Sequence, residues 1–259
     1  MLRQVKRLRS SDRLLELLEE LAGTHGQTLT ELSQRLELPK PTVLRLLRSL
    51  EERGWVARLP GGGYSVGQRF LAVAQQSIGR DSVLRCAAPH MIALRDALDE
   101  TVSLLSVSGA SRVCMLEFPS GQPLRYVHDV GSQGPLHAGA SGKVLLAFGP
   151  DELRQVVFAR PLERYTGQTF TDVAEMDAEL ARIRAAGWAM SQGERSEGSV
   201  AVAVPLRDPQ SGRVHSLTVF APQVRFRDES RPAWVEQMND CARAIEVAAG
   251  SSTEVEPHA

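Results

Sequence analysis

The chain has few cysteines, few aromatic residues and no long apolar run. Cys86, Cys114 and Cys241 stand far apart, odd in number and without a CxxC pair. That pattern points to a reducing compartment and excludes a disulfide scaffold or a structural zinc site. No stretch approaches the roughly 18 apolar residues that a membrane span needs, so no membrane association is expected. The early basic residues Arg3, Lys6, Arg7 and Arg9 lead into no signal-peptide core, and a cytoplasmic protein is the expectation. Neither sign of charge dominates: 30 Lys+Arg face 31 Asp+Glu in 259 residues, of which 42% are hydrophobic. Such a balance excludes disordered and collagen-like chains. No internal repeat is visible, and low complexity is confined to Gly61–Gly63.

The balance hides an asymmetry. Residues 1–80 hold thirteen Lys+Arg against eight Asp+Glu, whereas residues 81–259 hold seventeen against twenty-three. A basic amino-terminal piece on an acidic body suggests a polyanion-binding module joined to something else.

The first 67 residues have the pattern of a winged helix-turn-helix, taken as a domain over 5–67. Ser10 or Ser11 can cap a first helix in which Leu14, Leu17, Leu18 and Leu21 share a face, and Gly23 and Gly26 close it. Thr28 and Glu31 have capping-box spacing, opening a short helix lined by Leu29, Leu32 and Leu36. Glu37–Lys40 has the length of the turn between the two helices of this motif, and Pro41 suits a first helical turn. In the third helix, Val43, Leu46, Leu47 and Leu50 fall within about 100° of arc, with Thr42, Arg45, Arg48 and Ser49 opposite. One face can pack on the first two helices while the other offers guanidiniums and hydroxyls to a DNA major groove. Gly54 ends the helix, and Trp55–Arg58 and Tyr64–Val66 flank a glycine-rich turn as a β-hairpin wing, with Arg58 poised for phosphate. The candidate DNA-binding set is Thr28, Lys40, Thr42, Arg45, Arg48, Ser49, Arg58 and Tyr64. The same trihelix-plus-wing also serves as a protein-binding module elsewhere, so a protein partner is the alternative.

A linker helix over 68–82, carrying Phe70, Leu71, Val73 and Ala74, is expected to break at Gly79. A long amphipathic helix from about Val83 to Leu98 opens the second domain, 83–250. Alternation predicts strands over Thr101–Val107, Arg112–Phe118 and Leu124–Val127, and later over Trp188–Gln192, Val200–Leu206 and Val214–Ala221. Helices are expected over Val144–Phe148, Asp151–Phe158, about Asp172–Ala186 and about Ala233–Ala249, with a disordered tail over 251–259. Strands flanked by helices without regular βαβ alternation indicate an α+β fold with an antiparallel sheet.

Enzymatic motifs fail on inspection. Gly139-Ala140-Ser141-Gly142-Lys143 looks like a phosphate loop, but a Walker motif needs Gly where His137 stands and Ser or Thr where Val144 stands. A nucleophile elbow needs Gly where Lys143 stands. His25, His90, His128, His137, His215 and His258 show no metal-ligand spacing, and Asp208, Asp228 and Glu229 are expected in solvated turns. No cofactor and no metal are expected, and an enzyme with an appended regulatory domain is the second alternative. The segment Ala138–Lys143 has another use, since small residues let backbone approach a ligand and a helix N-terminus attracts an anion. Its structural counterpart is a tight loop packed against the sheet.

Taken together, these blocks resemble the IclR family of bacterial transcription regulators over about residues 5–250. The resemblance is carried by Leu38–Leu47, Tyr64–Gly67, Leu136–Ala147, Thr166, Thr169, Gly187–Ala189 with Glu194, and Gly198–Leu206. It implies a GAF-like effector-binding domain behind the winged helix, and homodimers or dimers of dimers on palindromic double-stranded DNA operators. It also implies an effector pocket around Leu136, Ala138, Gly139, Ala140, Ser141, Gly142, Ser191, Glu194, Ala201 and Phe220. Members that bind small oxo-acids carry polar or acidic residues, often a cysteine, where this chain has Ser191 and Ala201. Phe220-Ala221 stands where a small Ser-Gly pair is common. The implied pocket is less polar than in that subset, suiting a moderately apolar aromatic or organic acid, unless Phe220 fills the cavity.

Overall fold

The computed structural model describes residues 9–251. Arg3, Lys6 and Arg7 lie outside these residues, and so does the expected tail beyond Ser251. Contacts divide the chain at Arg80/Asp81 into two compact units.

The amino-terminal unit runs α1 (Arg9–Gly23), α2 (Leu29–Arg35), α3 (Lys40–Glu51), β1 (Val56–Arg58), β2 (Tyr64–Val66) and α4 (Gln68–Arg80). The capping box forms as its spacing requires. The Thr28 hydroxyl accepts the Glu31 N–H at 3.3 Å, and the Glu31 carboxylate accepts the Thr28 N–H at 2.7 Å. Leu17, Leu21, Leu32, Val43, Leu47 and Leu50 form the core of this unit. β1 and β2 pair antiparallel with Arg58 opposite Tyr64. Gly63, at the base of the wing, packs so closely that an added Cβ would stand 2.2 Å from the Gly26 carbonyl oxygen. The linker differs from expectation. α4 runs through Gly79, because one glycine costs a helix only about 1 kcal/mol. The break falls at Asp81, whose side chain accepts the Leu84 N–H at 3.0 Å and caps the next helix.

The second unit begins with α5 (Ser82–Leu98) and contains a six-stranded antiparallel sheet in the order β5-β4-β3-β8-β7-β6. Its strands are β3 (Thr101–Ser108), β4 (Ser111–Phe118), β5 (Gln133–Pro135), β6 (Ala189–Gln192), β7 (Ser199–Arg207) and β8 (Val214–Pro222). The strand expected at Leu124–Val127 does not form. Leu124 and Val127 are exposed, so their alternation has no sheet to face. Instead the short Gln133–Pro135 segment takes the edge of the sheet beside β4, setting Gly134 opposite Arg112.

Period-two burial explains the layering. Val202, Val204 and Leu206 pack under α5 and α9 (Arg231–Ser251), whereas Ala201 and Ala203 join the opposite core under α6 (Ala140–Phe148). The latter face is completed by α7 (Asp151–Phe158) and α8 (Val173–Ala186). In β3 the adjacent Leu104 and Leu105 fall in opposite cores, as alternation requires, and the register against β4 shifts between them. Ser251 belongs to α9 rather than to a tail. Asp208 is not solvated: it is 4% exposed and accepts hydrogen bonds from Ser82 Oγ and the Gln210 N–H. Asp228 and Glu229 form an exposed 3-10 turn.

Candidate nucleic-acid interface and ligand cavity

In the amino-terminal unit, α3 turns its leucines inward and leaves Lys40, Arg45, Arg48 and Ser49 exposed. Arg58 is exposed on the wing. None of these four cations has an ion pair among the described residues. A cation without a protein partner is free to displace counterions from a polyanion. Thr42 is half-buried at the helix start. Two residues of the candidate set have other work. The exposed Thr28 has its hydroxyl in the capping box, and Tyr64, 5% exposed, is part of the core beneath the wing.

In the second unit, a cavity of about 250 Å3 lies between β4, β5, the start of α6 and the loop after β6. Of the ten expected residues, Gly139, Ser141, Ser191, Ala201 and Phe220 line it. Phe220 narrows the cavity without filling it and stacks against His128, ring centroids 4.2 Å apart. Leu136, Ala138 and Ala140 are buried in the unit. Gly142 is a close-approach position, where a Cβ would stand 2.3 Å from the Leu136 carbonyl oxygen. Here the tight-loop reading of the glycine-rich segment is realised.

Glu194 forms the clamp that shapes this corner. One oxygen accepts the Gly139 N–H at 2.9 Å and the other takes Lys143 Nζ at 2.6 Å. Lys143 is 1% exposed and also reaches Glu179 at 3.0 Å and the Met190 carbonyl at 2.8 Å. The would-be phosphate-loop lysine is therefore neutralised inside the protein. Burial would raise the Glu179 carboxyl, but Arg182 and Lys143 together hold it below its ordinary value. Thr166 and Thr169 donate to the Gly193 and Glu194 carbonyls at 2.7 and 2.6 Å. These bonds pin the loop that carries Arg195.

Sequence reasoning missed Arg112 and Arg195, both of which line the cavity. Arg112 is 2% exposed, and its Nε, like Nη1 of Arg195, is buried without a hydrogen-bond partner. Burial, with the neighbouring Arg195 charge, pushes the Arg112 guanidinium down to about 10. Burial and the same two arginines push His128 down to about 4, so its ring is neutral at pH 7. Arg112 sat in a strand pattern as one more alternating polar residue, and Arg195 in a turn. Nothing local marked either as inward-facing. The pocket is thus far more cationic than expected. Among the described residues no group of His, Cys, Asp and Glu could hold a metal, and no helix is long and apolar enough to cross a membrane.

Comparison with known proteins agrees with this architecture. The family model described as the IclR helix-turn-helix domain matches residues 10–60, and that of the bacterial transcriptional regulator IclR C-terminal domain matches 75–247. BhcR of Paracoccus denitrificans, an HTH-type transcriptional regulator, is 30% identical over 92% of this chain and 86% of its own. The probable transcriptional regulator SauR of Cupriavidus necator is 35% identical over 83% and 86%. Among solved structures, an IclR regulator from Alicyclobacillus acidocaldarius aligns with TM-score 0.79 at 26% identity, covering 94% of this chain and 100% of that one. An IclR homologue from Microbacterium hydrocarbonoxydans, complexed with 4-hydroxybenzoate, aligns with TM-score 0.82 at 24% identity over the same shares. That last likeness is one of fold. The matched models and relatives are regulators of transcription, and they favour neither a protein-binding winged helix nor an enzyme. The chain belongs to the IclR family of bacterial transcriptional regulators.

Proposed function

We propose that the chain binds an operator through α3 and the wing, and that a small molecule held in the cavity of the second unit sets its operator affinity. The observation that carries the reading is the exposed, unpaired row Lys40, Arg45 and Arg48 on a helix whose other face is buried. Two such helices in a homodimer would meet two half-sites of a palindrome, roughly one or two helical turns apart. Self-association has support in α4, which buries no side chain in its own unit and exposes Leu71, Val73 and Ile78.

The ligand would act by linkage. It can shift operator affinity only by as much as it discriminates between arrangements of the two DNA-binding units, typically about 1–3 kcal/mol. The 4-hydroxybenzoate seen in the Microbacterium homologue is an aromatic acid, the class that Phe220 and the cavity cations suit here.

The test is a mobility-shift and footprinting assay on DNA flanking the gene, with Arg45→Ala beside the parent. If Arg45 forks to guanine, the variant loses about 1–3 kcal/mol on the operator and becomes less selective. Equal loss on operator and random DNA would reduce Arg45 to a phosphate contact. Failure of the parent to prefer any segment would overturn the reading.

A further inference from the structure

Arg112 and Arg195 meet over one residue. A Cβ built on Gly134 would stand 2.0 Å from Arg195 Nη1 and 3.0 Å from Arg112 Nη2, so these nitrogens are at most about 5 Å apart. The bare backbone of Gly134 is what lets two guanidiniums crowd together. Neither has an ion pair to a carboxylate among the described residues. No Asp or Glu lines the cavity, where the other polar lining groups include Ser132, Gln133, Ser141 and Ser191. The nearby Glu194 is spent on Lys143 and the Gly139 N–H, and Glu117 on Ser103 and the His128 and Asp129 N–H groups. Two like charges so placed repel one another and lack the hydrogen bonds that buried charges require. A chain keeps such a pair where something else supplies the opposite charge.

We propose that the cavity is a dianion site, taking a compact dicarboxylate with one carboxylate on each of Arg112 and Arg195 and its carbon skeleton against Phe220 and Ala201. The proposal deepens the effector reading above and rests on it for the biological role of the site. Guanidinium is the side chain that pairs with carboxylate through two parallel hydrogen bonds. The separation of the two arginines suits carboxylates on adjacent ring carbons or at the ends of a short chain. Gly139 and Ser141 bring the positive end of the α6 dipole to the same wall. The volume of about 250 Å3 has room for roughly a dozen non-hydrogen atoms, below the range for drug-sized ligands. A second cavity of about 470 Å3 shares Gln133 and Arg195 with this one.

The test uses the full chain without DNA, at constant ionic strength. Calorimetric titration and thermal melting compare succinate and benzene-1,2-dicarboxylate with the monoacids butyrate and benzoate. At least one dicarboxylate should bind ten-fold or more tighter than its monoacid. Arg112→Gln and Arg195→Gln should each erase that preference, and each should melt at or above the parent temperature without ligand, because the repulsion is gone. The less buried Arg195 keeps the test valid if the Arg112 variant folds poorly. Monoacids binding as well as dicarboxylates, no binding of either dicarboxylate, or variants that keep the preference would overturn the proposal. Because no DNA is present, failure here leaves the mobility-shift result standing, and a failed shift leaves the dianion result standing.

Discussion

Lys143 shows how a single side chain can mislead a motif search and still be indispensable. Following a glycine-rich stretch, it resembles a phosphate-binding lysine, yet it is 1% exposed and bonded to Glu179, Glu194 and a backbone carbonyl. Removing one partner of a buried ion pair leaves the other charge uncompensated, at a cost of about 3–5 kcal/mol. Lys143→Met should therefore lower the urea midpoint sharply, and adding Glu194→Gln should recover part of the loss. Arg112 and Arg195 are the opposite case, a buried and a partly buried charge with no carboxylate partner among the described residues. The sequence made Lys143 conspicuous through its glycine neighbours, whereas the two arginines have ordinary neighbours. Their meaning comes from residues distant in the chain, above all Gly134.

At the scale of elements, the amino-terminal unit was the most legible. Its signals are local: a capping box three residues apart, a proline in the first turn, leucines at helical spacing. Each acts within a few residues, so reading the chain in order captures it. The expected Leu124–Val127 strand does not form because alternation reports a half-buried surface only where a neighbouring strand exists to complete it. The edge position went to Gln133–Pro135, a stretch with almost no strand propensity. α6 was expected to start at Val144 but starts at Ala140, because its first turn is held by Glu194 from another segment. Gly142 lies in that turn against the Leu136 carbonyl. Gly142→Ala should destabilise the second unit by more than about 2 kcal/mol by forcing backbone apart. Denaturant titration of the full chain, with the second-unit tryptophans Trp188 and Trp234 contributing to the signal, checks it.

For the whole molecule, the proposed regulation needs two coupled properties, an assembly that presents paired DNA-binding units and a ligand that discriminates its arrangements. α4 leaves Leu71 and Ile78 exposed one above another along the helix, and exposed apolar side chains at that spacing suit a second copy of the chain. Ile78→Glu should shift the sedimentation coefficient toward the monomer and weaken operator binding, while leaving dicarboxylate binding in the second unit unchanged. Loss of both at once would mean that the cavity itself depends on the assembly.

The sequence by itself determined the class of fold, the helix-turn-helix with the buried and exposed faces of its third helix, and the family. These follow from periodicity, caps and turns that operate over a few residues, and from blocks whose order survives in the chain. Only the tertiary structure decided the character of the pocket. It closed the apparent phosphate loop with an internal ion pair, set β5 at the sheet edge, and gathered two arginines eighty-three positions apart over one glycine. A charge is interpreted by what surrounds it, and those surroundings are assembled by folding rather than written beside the residue.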